Sequence, residues 1–394
     1  MTPHHFSSLA RRSSEPPISW LMRLKLERPE LISLAAGFTD NATLPVREVR
    51  ELCRAVLRDR TTLQYGSTAG LPALRRELVR GTDASPEEVV VTNGSQQLLY
   101  LLTEVLCDPG DVVLVEDPTY FVYLGILESM GVRAFGFDTL AQLKAKFDYL
   151  KARRLLPRLK MLYLVTYFRN PTGFTWSLAM KREALALVKH YEKAAGHPIY
   201  IVEDAAYRDL RFEGEDVPSF LELDRRRVAY TNTLTKPFAT GLKIGYGILP
   251  GPLRQAVLRS KGNQDFGSAN FLQAILARAL AQGMYQRHLP VIAGGYRRKR
   301  DVMVAALGNH FSYEVPTGGL YVWVGLPGGT ATGVKSRLFR DALAAGLLYV
   351  PGEMCYAADP TRPTPRNFIR LSFGAPPAAQ IRRGVHLLRT VAGL

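Results

Sequence analysis

Lys236 stands in the run Thr233-Leu234-Thr235-Lys236-Pro237-Phe238-Ala239-Thr240-Gly241-Leu242-Lys243-Ile244-Gly245, between two short apolar stretches that read as strands. Its neighbours set it apart from a surface lysine. Hydroxyls precede it at Thr233 and Thr235, a second cation follows at Lys243, and glycine lets backbone approach a ligand closely. Together they read as a phosphate cradle, which is where a cofactor-bearing lysine is expected.

Other polar groups gather where apolar runs end. Gly94-Ser95-Gln96-Gln97 follows one such run and opens a helix, so its free backbone N–H groups and the positive end of the helix dipole can hold a phosphate. Two further runs exit into Phe168-Arg169-Asn170-Pro171-Thr172-Gly173 and Glu203-Asp204-Ala205-Ala206-Tyr207. Ligands of open α/β sheets bind beyond the carboxyl ends of the strands, so several polar exits point to one crevice. Each group alone has a plainer reading: Gly-Ser as a turn and cap, Asn-Pro-Thr-Gly as a tight turn, Asp204 as an N-cap, and Tyr120 as a core residue.

The elements that must position these groups show as short apolar runs alternating with amphipathic stretches from Pro86 to about Gly251, the pattern of an α/β core with parallel strands and crossover helices. Strands are predicted at 89–92, 112–115, 132–137, 161–166, 199–202, 228–231 and 244–249, with a helix at 96–106. Beyond about Gln282 an Arg-rich helical stretch, then Pro316-Thr317-Gly318-Gly319 and the alternating Leu320 to Val324, predicts a second, α+β unit. We expect an N-terminal segment, 1–44, packing with a small domain at 283–394, and a large cofactor-binding domain at 45–282. Helically spaced apolar residues between Ile18 and Arg28 belong to that first segment. At 394 residues the chain is long enough for two such units.

Composition excludes several classes. An apolar fraction of 47% suits a globular protein. Cys53, Cys107 and Cys355 lie far apart without metal-type spacing, which argues against a disulfide framework or a metal site and fits a reducing cytosol. Neither a signal-peptide run nor an uncharged apolar stretch of about 18 residues occurs, so export and membrane insertion are not expected. The net charge of +16 is spread along the chain, and Arg225-Arg226-Arg227 and Arg297-Arg298-Lys299-Arg300 lack interleaved aromatics, so nucleic acid is not an expected partner.

From about Leu31 to Phe373 the motifs fall in one order, and the chain resembles the fold-type I pyridoxal-phosphate enzymes of the class I/II aminotransferase group, nearest the aminoadipate and aromatic branch. For all of them to fall in this order by chance is negligible. The resemblance implies an aspartate aminotransferase-like fold, a mostly parallel seven-stranded sheet in the large domain, and pyridoxal 5'-phosphate as cofactor. It makes Lys236 the Schiff-base lysine and the proton carrier, Asp204 the carboxylate beneath the pyridine nitrogen, and Tyr207 with Asn170 the partners of the phenolic oxygen. Ser95, Gln96, Thr233 and Lys243 belong to the phosphate side, and Tyr120 stacks on the ring. Arg370, in Asn367-Phe368-Ile369-Arg370-Leu371-Ser372-Phe373, is the clamp on the substrate carboxylate. Gly37 lies where backbone meets the substrate, and Asn170 is also counted among the substrate-binding residues. Tyr65, in Leu63-Gln64-Tyr65-Gly66, reaches the phosphate of a neighbouring subunit, which implies a homodimer with shared sites. Two positions depart from the family pattern: Lys243 stands for arginine and Thr240 for proline. Arg169 stands where relatives often carry glutamine.

The implied activity is transfer of an amino group from an α-amino acid to a 2-oxo acid in two half-reactions. The alternative is a biosynthetic lyase, cyclase or oxidase acting on a basic or hydroxylated amino acid, since the cofactor site is common to all of these. A transcription regulator with an aminotransferase-like sensor domain is a third reading; the stretch before the first motif is short for a DNA-binding domain. Side-chain specificity lies on the N-terminal segment and loops, where no motif guides a choice.

Overall fold

The computed structural model describes residues 5–394. Its strands are β1 (Ile32–Ser33), β2 (Val89–Thr92), β3 (Val112–Glu116), β4 (Arg133–Phe137), β5 (Leu159–Val165), β6 (Tyr200–Asp204), β7 (Val228–Thr233), β8 (Gly245–Ile248), β9 (Tyr321–Gly325), β10 (Leu347–Leu348), β11 (Val350–Pro351) and β12 (Phe368–Ser372). Strands β2 to β8 form one seven-stranded sheet in the order β2-β8-β7-β6-β5-β3-β4.

That sheet is mostly parallel, as expected. Residues of β3 and β5 are almost all buried, in Val- and Leu-rich runs that both faces of a helix-covered sheet require. The helices Ser95–Leu106, Phe121–Met130 and Leu178–Ala195 supply apolar residues to the covering layers. One strand departs from the parallel pattern: β8 runs antiparallel to both β7 and β2. The reason is local, because β7 returns through residues 234–244 without a crossover helix, and a parallel return needs one. Strand β5 starts at Leu159, ahead of the expected Met161, and β6 and β7 extend to Asp204 and Thr233. Hydrogen bonding of the sheet therefore holds Asp204 and Thr233 themselves, in addition to the apolar runs before them.

The polar residues at these strand ends are buried: Thr92, Glu116, Asp204 and Thr233. Buried polar side chains concentrated at the carboxyl ends of a sheet mark its ligand crevice. Across that crevice lies a three-stranded antiparallel sheet, β11-β12-β9, in which Arg370 of β12 is paired with Trp323 of β9 and Val350 of β11. The N-terminal segment touches both regions. Its strand β1 pairs in parallel with β10, Trp20 stacks on Phe339 with ring centroids 5.9 Å apart, and Arg12 Nε donates to Ser129 O on the helix Phe121–Met130. Among the described residues no helix is long and apolar enough to cross a membrane.

Candidate active site

Three elements that could hold a phosphate are brought together at one glycine. Gly245, the first residue of β8, is paired with Thr92 on one side and Thr233 on the other. A Cβ at Gly245 would lie 2.3 Å from Ser95 N and 2.4 Å from the Gly94 carbonyl carbon, so only glycine lets the strand meet the helix start this closely. Gly94, with φ 74°, turns the chain into the helix Ser95–Leu106, and no side chain caps its first N–H groups. Lys243, held in the left-handed region at φ 49°, lays its stem beside Gly94, 3.6 Å from where a Cβ would be. The Thr233 hydroxyl lies in the same hairpin, 2.9 Å from Ile244 O and 2.7 Å from the Thr235 hydroxyl. A helix N-terminus, two hydroxyls and an exposed lysine thus converge at the start of β8.

Deeper in the crevice, Asp204 is 4% exposed and accepts hydrogen bonds from the Tyr163 hydroxyl (2.9 Å) and from Ala206 N (3.1 Å). Burial pushes its pKa up to about 6, the two hydrogen bonds oppose this, and the nearby Glu116 adds to it. Among the described residues no cation pairs with it. A buried carboxylate held above its ordinary range is a site for a protonated ring nitrogen, whose charge it would stabilise.

Arg370 shows the complementary deficit. It is 2% exposed, donates from Nη1 to Asn170 Oδ1 (2.8 Å) and from Nη2 to Ala35 O (2.7 Å), and leaves Nε without a partner. Its guanidinium lies 4.2 Å from the Tyr321 ring centroid and 5.2 Å from that of Phe121. No carboxylate of the described residues pairs with it. Asn170 joins this group to the other side of the site by donating from Nδ2 to the Tyr207 hydroxyl (3.4 Å), and that hydroxyl lies 3.2 Å from the Tyr321 hydroxyl. Lys236 completes the cluster, its Nζ donating to Gly37 O at 2.7 Å. Desolvation lowers its pKa, the positive charge of Arg370 adds to this, and Tyr321 opposes it. Lowering favours the neutral, nucleophilic amine.

Most of the expected residues meet here. Tyr120 points its hydroxyl toward Gln96 Oε1 at 3.4 Å, and burial, with Tyr321 and Asp204 nearby, raises its pKa. Gly37 sits so close to Tyr321 that a Cβ would be 2.2 Å from the phenolic oxygen. Tyr65 is not brought to the cluster: it is 83% exposed, edge-on to Phe266. Arg169 is no free cation beside the site, because Nη1 is 2.8 Å from Glu116 Oε1. Tyr321, Tyr163, Phe121 and Glu116 are residues of the site that motif reading missed. For Tyr321 a signal existed in Gly318-Gly319, since a Cβ at Gly318 would press on the Phe168 ring at 2.5 Å.

The residues fit a phosphorylated pyridine aldehyde at each end: an uncapped helix N-terminus beside Lys243, and an unpaired carboxylate at Asp204. Residues 29–388 match the family described as aminotransferase class I and II. The chain belongs to that family. Among similar proteins, aromatic-amino-acid aminotransferase 1 of Thermococcus litoralis is 30% identical, over 98% of this chain and 93% of its own. The 2-aminoadipate transaminase of Thermus thermophilus is 31% identical, over 99% and 97%. The crystal structure of kynurenine aminotransferase from Pyrococcus horikoshii, in complex with PMP, aligns with a TM-score of 0.89 at 29% identity, covering 99% of this chain and 97% of that one. This aminotransferase has the aspartate aminotransferase-like fold, uses pyridoxal 5'-phosphate, and transfers the amino group of an α-amino acid to a 2-oxo acid. Nothing among these relatives favours a lyase, cyclase or oxidase.

Proposed function

We propose that Lys236 is the covalent attachment point and proton carrier of this aminotransferase, and that Arg370 holds the substrate carboxylate. Ser95 and its helix N-terminus, with Gln96, Thr233 and Lys243, would hold the phosphate; Asp204 would face the ring nitrogen, Asn170 and Tyr207 the phenolic oxygen, and Tyr120 the ring. When bound, pyridoxal phosphate supplies an electron sink for the bond being broken at the substrate α-carbon. Everything else falls to the chain. Arg370 orients the substrate through a planar fork, for which its unsatisfied Nε and missing carboxylate partner are the supporting observation. Asp204, once it has a cationic partner, stays ionised and keeps the ring nitrogen protonated. Lys236 Nζ, whose charged form desolvation disfavours, would take the proton from the substrate Cα and return it two atoms along, on the far side of the amino nitrogen, and the same groups would then run the sequence backwards on a 2-oxo acid, which gives ping-pong kinetics.

Amino acids with an apolar side chain are the substrate class we favour. A small cavity of about 90 Å³ is lined by Ile18, Leu21, Met22, Leu26, Ala35 and Phe38, and Ala35 is the residue whose carbonyl takes an Arg370 N–H. Its one cation, Lys25, has Nζ bound to Pro29 O and Leu31 O. The working unit in this reading is a cytosolic homodimer, in which exposed Tyr65 and Phe266 belong to the subunit contact and Tyr65 reaches the other subunit's phosphate. Its units are an N-terminal segment at 1–44, a large domain at 45–282 and a small one at 283–394. An amino-donor screen followed by cofactor absorbance tests the substrate class: leucine, methionine or phenylalanine should give the highest kcat/KM. A clear preference for aspartate or lysine would overturn the assignment.

A further inference from the structure

We propose that Glu116 and Arg169 are positioning residues for this reaction, a buried ion pair that fixes the loop carrying Asn170 and, through Asn170, the placement of Arg370 and Tyr207. Glu116, at the end of β3, is 1% exposed. Its Oε2 accepts from Val165 N (2.6 Å), and its Oε1 accepts from Arg169 Nη1 (2.8 Å) and Trp176 Nε1 (2.6 Å). Those donors stand at the start, the middle and the end of one segment, the polar exit of β5. A single carboxylate therefore ties the whole exit to the neighbouring strand.

Arg169 extends the hold from inside the loop. Its Nε donates to the Thr172 hydroxyl (3.0 Å), and its guanidinium covers the Phe174 ring at 5.2 Å. Backbone bonds close the turn around it, from Gly173 N to Arg169 O (2.7 Å) and from Arg169 N to Phe174 O (2.9 Å). Phe168, just before it, sits at φ 46°, a conformation that a bulky residue keeps only where its surroundings over-determine it. Asn170, next along, is the residue that touches Arg370 Nη1 on one side and the Tyr207 hydroxyl on the other. A carboxylate taken out of water remains ionised only when paired and fully hydrogen-bonded, so loss of either partner frees the loop. Displacement of Asn170 then moves the clamp that reads the substrate carboxylate.

This inference rests on the assignment of Arg370 to that carboxylate, and the test separates the two. The holoenzyme and its R169Q, E116Q, R169K and R370A variants are titrated with 2-methyl-leucine, which has no α-proton to lose, and binding is read from the cofactor absorbance; the melting temperature of each cofactor-free variant is measured in parallel. R169Q and E116Q should weaken binding by about ten- to a hundredfold, the loss of one well-aligned charged hydrogen bond. R169K, which keeps a cation at Glu116 but not the bond to Thr172, should fall between R169Q and the native enzyme. If E116Q does not fold, R169Q carries the test, since Glu116 retains its other two donors. A lower melting temperature with unchanged binding in R169Q would overturn the positioning role. Unchanged binding in R370A as well would instead remove the carboxylate assignment on which it rests.

Discussion

Replacing Asp204 with asparagine should make the cofactor-free protein more stable. Burial lifts this carboxyl from 3.8 to about 6. The folded state therefore binds its proton more tightly than the unfolded chain does, and stability falls as pH rises between those two values. Above about pH 6 the full penalty applies, roughly two pKa units or about 3 kcal/mol. Asparagine removes the charge and can keep both hydrogen bonds, accepting from Ala206 N and donating to the Tyr163 oxygen where the carboxylate accepts. Allowing for imperfect geometry, D204N should be more stable by about 1–3 kcal/mol at pH 7.5, with the gap shrinking to about a third at pH 4.5. Equilibrium urea unfolding of both cofactor-free proteins, at one protomer concentration and both pH values, measures it. Adding pyridoxal phosphate should reverse the order, because only the aspartate gains a cationic partner. A D204N protein that is less stable at pH 7.5, or a gap that does not change with pH, would refute the reasoning.

Arg370→Ala should raise KM for the amino acid by about a hundredfold or more, since the clamp supplies charge-assisted hydrogen bonds of about 1.5–3 kcal/mol each; steady-state kinetics with either substrate would show it, and an unchanged KM removes Arg370 from the site. Gly37→Ala should destabilise the protein by about 1–3 kcal/mol. Its Cβ would sit 2.2 Å from the Tyr321 oxygen, and Tyr321 has little room to yield between Arg370 and Tyr207. Thermal unfolding checks the loss, and a neutral substitution would mean that the loop relaxes freely.

Much of the site was legible because its residues announce themselves locally. Lys236, Asp204, Asn170 and Ser95 each follow an apolar run that must be a strand, and an α/β sheet gathers such exits at one edge. Arg370 was legible only through its surrounding motif, since a lone arginine in a late strand has no local mark. Tyr321 and Glu116 escaped because their meaning is a juxtaposition. Tyr321 is one more apolar position in an alternating strand until β9 brings it under Arg370. Glu116 closes a valine-rich strand, and its three donors come from beyond β4 in the chain. The antiparallel course of β8 escaped for a related reason, because apolar runs report burial and not direction. Tyr65 remains exposed within one chain, and the role the resemblance gives it depends on a neighbouring subunit that local sequence does not describe.

The most direct test is to reduce the pyridoxal-phosphate-loaded enzyme with borohydride, digest it and locate the phosphopyridoxyl group by peptide mass. We expect the label on Lys236, with no labelled peptide from Lys236→Ala. A label on Lys243 or any other lysine, or none on the native enzyme, would contradict the assignment of the catalytic residue.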